Sequence, residues 1–287
     1  MPMVMRGWSF WGRRWGGYSG FKTSRMWFWL VLAGVLRHRW CMSEILQNTI
    51  PYDVHSPRPL PGIAPLPPKD WLLIDEAYGP QMAERTRLLR DHRAAVLRLD
   101  ETARPAAEEL LEVVLEQLRQ RADFSVQAGQ VVRPDGQLVQ IDRADPLATL
   151  GQLVQDDLCL LEKRGEEHVL TGAVLCFPAS WTLAEKFMRP LIGIHVPVDV
   201  YDAELAKRVQ RLFDGVQPGR PLWRFNALWY ADACLHQPRP EAGPRRQDTT
   251  KTYLRSERQA LMRLPLSRAV VFSIHTFVLS AQDAARL

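Results

Sequence analysis

The segment Leu191-Ile-Gly-Ile-His-Val-Pro-Val198 sets one imidazole, His195, among apolar residues, with Gly193 leaving room for the close approach of another group. Neutral imidazole is a nitrogen donor suited to iron. The plainer alternative is a core histidine bonded to a backbone carbonyl. His275, in Val270-Val-Phe-Ser-Ile-His-Thr-Phe277, is a second histidine in an apolar run and is open to the same two readings. His168 and His236 read as strand-start and loop residues. Cys176 is a rival thiolate, although nothing around it signals thiolate ligation.

A second cluster is Tyr253-Leu-Arg-Ser-Glu-Arg-Gln-Ala-Leu261. Strand alternation puts Arg255, Glu257 and Gln259 on one face, and Leu254, Ser256, Arg258 and Ala260 on the other. Charges on both faces fit either a solvated edge strand with cross-strand ion pairs or a site in which an arginine grips an anionic group and Glu257 holds a cationic amine. Trp223-Arg-Phe-Asn226 brings Arg224 and Asn226 together in the same way, and Lys186 offers another cation near a helix.

The chemistry that is missing narrows the choice. No glycine-rich dinucleotide loop or Walker loop joins a strand to a helix, and neither a GxSxG elbow nor an HExxH pair occurs. A redox enzyme of this kind would take its electrons from a partner. The four cysteines form no CxxC, so a disulfide framework or zinc knuckle is not expected.

These residues must be positioned by a chain of 287 residues with a net charge of +5. Residues 1–41 carry seven Lys/Arg and no acid, so the remainder is close to −2, which argues against a general nucleic-acid binder. The same stretch holds six of the ten tryptophans, and ordinary composition begins at Met42. Residues 1–41 are expected to be an over-extended start, with a targeting segment as the rival reading. The apolar run 26–36 is too short to span a bilayer comfortably, and the cytoplasm is the expected compartment. Residues 42–70 form a proline-rich arm with seven prolines between 51 and 68, expected to wrap its own domain through Leu60, Ile63 and Leu66.

Beyond the arm, residues 71–287 read as one domain. Helices are expected at 80–99, 104–121, 147–154, 178–187 and 202–213. A hairpin is expected over 122–141, with its turn at Pro134-Asp135-Gly136. Strands are expected at 158–161, 168–177, 191–198, 223–229, 253–264 and 269–279. Hairpins separated by helices, without βαβ alternation, predict an α+β fold. Five antiparallel strands with helices on one side would make a PAS-like shell.

The stretches that carry this chemistry also carry a resemblance. Val154-Gln-Asp-Asp-Leu-Cys-Leu-Leu161, Cys176-Phe-Pro-Ala-Ser-Trp181 with Glu185-Lys186, Ile194-His-Val-Pro-Val198, Arg224-Phe-Asn226 and Leu254-Arg-Ser-Glu-Arg-Gln-Ala-Leu-Met-Arg-Leu-Pro265 occur in order. Together they resemble the family of the haem-dependent oxidative N-demethylase α subunit, from about Tyr52 to the C-terminus. The resemblance implies a PAS-like fold that binds haem b through a histidine. It also implies oxidative removal of a methyl group from a dimethylamine-like substrate, with oxygen and with electrons from a flavin/iron–sulfur reductase subunit. On this reading His195 is the metal ligand, and Arg255, Arg258, Lys186 and Arg224 are cofactor-binding residues. Glu257 is the catalytic candidate that orients the amine. Ala227 stands where many members carry Trp, and His275-Thr-Phe277 where they carry Arg-Thr-Tyr, which bears on substrate and turnover. The alternatives are a non-catalytic haem or small-ligand sensor and a cofactor-free scaffold. The absence of any attached output domain counts against a sensor.

Overall fold

The computed structural model describes residues 44–56, 62–195, 203–243 and 252–287, all within the unit Cys41–Leu287; the side chains of His195 and of residues 203–206 are not among the described ones. The expectations for residues 1–41, and for Leu60 as an anchor of the arm, fall outside this set.

In chain order the elements are β1 (Ala64–Pro65), α1 (Tyr78–Asp91), α2 (Arg93–Val96), β2 (Leu97–Leu99), α3 (Arg104–Arg119), β3 (Ser125–Val126), β4 (Gln130–Val132), β5 (Leu138–Gln140) and α4 (Pro146–Gly151). There follow β6 (Asp157–Arg164), β7 (Glu167–Val174), α5 (Leu183–Lys186), α6 (Leu191–His195), α7 (Ala203–Gly215), β8 (Leu222–Tyr230), β9 (Tyr253–Arg263), β10 (Val270–Ser280) and α8 (Ala281–Ala284).

Local chemistry explains the best-defined elements. Helix α3 starts with Pro105 in its first turn, where the missing N–H costs nothing, and buries Leu110, Leu111, Val114, Leu115 and Leu118 along one stripe. The β4–β5 turn places Gly136 at φ 77°, a left-handed conformation that glycine adopts without strain. Helix α7 ends on a side-chain cap from the sheet: Arg263 donates from Nε to Val216 O at 2.6 Å and from Nη2 to Phe213 O at 2.5 Å.

Seven strands pair in the order β1-β8-β9-β10-β6-β7-β2, every pair antiparallel. A separate sheet of three short strands is formed by β3, β4 and β5. One face of the large sheet presents Trp223, Ala260, Val271, Leu158 and Leu160 to α1, α3 and α4. The opposite face presents Leu222, Leu261, Ile274 and Cys159 to Leu183 of α5, Leu191 and Ile194 of α6, and Phe213 of α7. The N-terminal segment also lies on the sheet. Gln47 N donates to Val278 O at 2.9 Å, and the Tyr52 ring sits 4.8 Å from Phe225 and 5.9 Å from Phe277.

The mixed α and β content and the large antiparallel sheet agree with the α+β expectation. Four details differ. The large sheet has seven strands rather than five, and helices cover both of its faces. The helix expected over 80–99 breaks at His92 and ends in strand β2. The apolar run expected as a strand over 191–198 begins as helix α6, with Ile194 N donating to Pro190 O at 2.9 Å. Finally, β9 is an inner strand flanked by β8 and β10, not a solvated edge.

Candidate functional site

Residues directly opposite in an antiparallel pair share a face, so register assembles the site. Asn226, Glu257 and Thr276 form one rung across β8, β9 and β10. Arg224, Gln259 and Ile274 form the next rung on one side, and Leu228, Arg255 and Val278 the next on the other. All of these lie on the face that carries α5, α6 and α7. Exposure grades across the strands: Thr276 is 1% and Glu257 7% exposed, Arg224 and Asn226 are half-buried, and Leu228 is 59% exposed. The result is a polar patch that is closed at β10 and opens toward β8.

Glu257 is its centre. Its Oε2 accepts from Asn226 Nδ2 at 3.1 Å and from Gln259 Nε2 at 3.2 Å, and its backbone N donates to Asn226 Oδ1 at 3.2 Å. Its Oε1 lies 3.5 Å from Arg255 Nη2. Two neutral amides thus fix the carboxylate orientation, and Oε1 is the oxygen turned toward other partners. Three buried polar atoms in these three rungs have no hydrogen-bond partner: Arg224 Nε, Arg255 Nε and Thr276 Oγ1. Such atoms cost free energy unless something else satisfies them, so they mark a place where a ligand would be gained. Burial pushes the Arg224 guanidinium down from its usual range, and the Glu257 charge pulls it back up.

The other expected site residues are placed differently. Arg255 ties backbone together, donating from Nη2 to Phe177 O at 2.6 Å and from Nη1 to Leu235 O at 2.9 Å. Arg258 lies on the opposite face, donating to Trp71 O at 3.0 Å and Asp70 O at 2.6 Å. Lys186, 4% exposed, donates to Ile194 O at 2.5 Å and to Glu241 Oε1 at 2.6 Å. His195 is the last residue of α6, and its side chain is outside the described set.

Among the other histidines, His275 is fully buried on the face opposite the patch, with both ring nitrogens on carboxylates. His236 Nδ1 meets Cys176 O at 2.7 Å. His168 Nδ1 meets Gln210 Nε2 at 3.0 Å and its ring lies 5.4 Å from Phe213. Burial pushes the Cys176 thiol up to about 12 and the Cys159 thiol higher still, which favours the protonated thiol in the chain without a metal. Among the described residues no three His, Cys, Asp or Glu side chains converge as a cage for a bare ion. A porphyrin iron needs only one protein donor, so the lack of such a cage does not bear on a haem.

Sequence reasoning missed two residues that matter here. Thr276 is the one polar residue among Val270, Phe272, Ile274, Thr276 and Val278, which alternation puts on one face. Tyr52 supports the same rung from behind: its hydroxyl is 2.9 Å from Ser256 Oγ, which donates to Asn226 O at 2.6 Å. No local signal marks Tyr52, because its partner is 204 residues away.

A family model described as haem-dependent oxidative N-demethylase, alpha subunit-like, matches residues 62–286, and the chain belongs to that family. Haem dependence and a role as one subunit of an oxidase follow from the family's description. No helix among the described residues is long and apolar enough to cross a membrane.

Proposed function

We propose, taking that family membership as the premise, that this chain is the PAS-like, haem b-binding subunit of a cytoplasmic monooxygenase that removes a methyl group from a small secondary amine such as dimethylamine. The observation that carries this reading is the Glu257-centred patch with its unpartnered cationic neighbour Arg224, on the sheet face where helix α6, bearing His195, is seated.

His195 is the proposed axial ligand. The choice over His275 is supported by the engagement of both nitrogens of that ring. Arg224 is the proposed partner for a propionate, because Arg255, Arg258 and Lys186 already hold backbone carbonyls. A haem would supply the oxygen-activating chemistry that no side chain offers. Glu257 holds a protonated amine by charge-assisted hydrogen bonding at Oε1, with Asn226 and Gln259 fixing its rotamer. In the net reaction the N-methyl carbon leaves as formaldehyde. One oxygen atom goes into that product and the other into water, and a separate flavin/iron–sulfur reductase supplies the electron pair.

The test is the absorption spectrum of the full chain supplied with haem, oxidised and reduced. His195→Ala is expected to lose the bound-haem bands, and Arg224→Leu to bind haem more weakly. Formaldehyde release from dimethylamine, with a reductase present, completes the case. A chain that takes up no haem, or an unchanged spectrum for His195→Ala, overturns the assignment.

A further inference from the structure

Glu257 and Thr276 are Cα partners on neighbouring strands and share the patch face, which puts their Cβ atoms about 5 Å apart. The Thr276 hydroxyl is the more telling of the two. It is 99% buried and without a partner, although a hydroxyl carries a donor and two acceptor lone pairs and rotates freely to find one. Buried hydroxyls without a partner are uncommon because of the free energy they forgo. On the same face the flanking rungs add apolar Ile274, Val278 and Leu228 beside Arg224, Gln259 and Arg255.

We propose that Glu257 Oε1 and Thr276 Oγ1 form a two-acceptor seat for an ammonium group with two N–H bonds, and that Thr276 is a specificity-determining residue. The seat rests on the reading that an amine binds at Glu257. It deepens that reading by stating which amine fits. A dimethylammonium ion gives one N–H to the carboxylate oxygen and the other to the hydroxyl, and its methyl groups meet the apolar neighbours. A trimethylammonium ion has a single N–H, so the hydroxyl stays unpaired. A methylammonium ion has three, so one donor is left without an acceptor in a buried site. Discrimination then comes from unsatisfied polar groups, which a hydrophobic pocket alone cannot provide.

The experiment uses haem-loaded full-length protein and measures equilibrium binding of dimethylammonium and trimethylammonium by calorimetry, apart from turnover. Thr276→Val keeps the shape and removes the hydroxyl. It is expected to weaken dimethylammonium about tenfold, the effect of one lost hydrogen bond to a charged group, and to leave trimethylammonium unchanged. Thr276→Ser, which keeps the hydroxyl, is expected to bind both as the natural protein does. If Thr276→Val weakens both amines equally, or neither, while Glu257→Gln abolishes binding, the seat is overturned and the amine site at Glu257 stands. If Glu257→Gln binds dimethylammonium as well as the natural protein, or the natural protein binds neither amine, the parent reading falls and the seat with it.

Discussion

The guanidinium of Arg85 and the carboxylate of Asp157 meet at 2.6 Å with neither side chain exposed to solvent. Arg85 also donates to Gly151 O at 3.0 Å and Gln155 O at 3.1 Å, while Asp157 accepts the amides of Cys176 at 2.7 Å and Phe177 at 2.8 Å. Arg255 grips the carbonyl of the same Phe177, so the peptide leaving β7 for α5 and α6 is held from both sides. Removing one partner of a buried pair leaves the other charge uncompensated. Arg85→Met is therefore expected to destabilise the fold by about 3–5 kcal/mol in urea unfolding. A loss below about 1 kcal/mol would show that the pair is not what anchors this peptide.

His275 predicts a pH dependence. Its Nε2 lies 3.0 Å from Asp75 Oδ2 and its Nδ1 3.2 Å from Asp156 Oδ2. Burial works against its charge, but the hydrogen bonds to Asp156 and Asp75 outweigh that, and its pKa is pushed up from 6.5 to about 9. A group whose folded pKa is raised stabilises fully below the unfolded value and loses that stabilisation as pH rises through the folded one. Stability is thus expected to fall between pH 6.5 and about 9. The upper bound on the fall is about 3 kcal/mol. His275→Asn should be less stable at pH 6 and nearly flat across the window. Urea midpoints of the natural protein that do not move between pH 6 and 9 would rule the charged form out.

Much of the fold was legible because its signals are local. The stripe of Leu110, Leu111, Val114, Leu115 and Leu118, the Pro134-Asp135-Gly136 turn and the alternation of β9 all depend on near neighbours. The burial of β9 was not legible. Arg255 and Arg258 are inner residues because their guanidiniums reach carbonyls 78 and 187 residues away, and no window of sequence contains such partners. Leu191–His195 differs from the strand expectation for another reason. Ile192, Ile194, Val196 and Val198 alternate as in a strand, but short apolar runs suit helix and strand alike, and a backbone bond from Ile194 N to Pro190 O makes Leu191–His195 helical. In the site, Glu257 and its neighbours follow from alternation within one strand. Thr276 becomes visible only when register brings β10 beside β9.

Lys186 connects α6 to the segment before residue 244. Its Nζ bonds Ile194 O at 2.5 Å and Glu241 Oε1 at 2.6 Å; Arg189 reaches the same Glu241 oxygen at 3.2 Å, and Glu185 accepts the Glu241 amide at 3.1 Å. Helix α6 has five residues, too few to be stable by propensity alone, so its last turn depends on this ammonium for satisfaction of a terminal carbonyl. Lys186→Met keeps the buried stem and removes that donor. The amides of residues 191–195 are expected to exchange with deuterium at least tenfold faster than in the natural protein, with β9 and β10 unchanged. Lys186→Arg should restore much of the protection, since its guanidinium can still bond the carbonyl and Glu241. If His195 ligates haem from the end of this helix, Lys186→Met should also broaden and weaken the bound-haem absorption without touching the iron. Unaltered exchange in residues 191–195 would mean that the contacts of Leu191 and Ile194 with the sheet hold α6 by themselves.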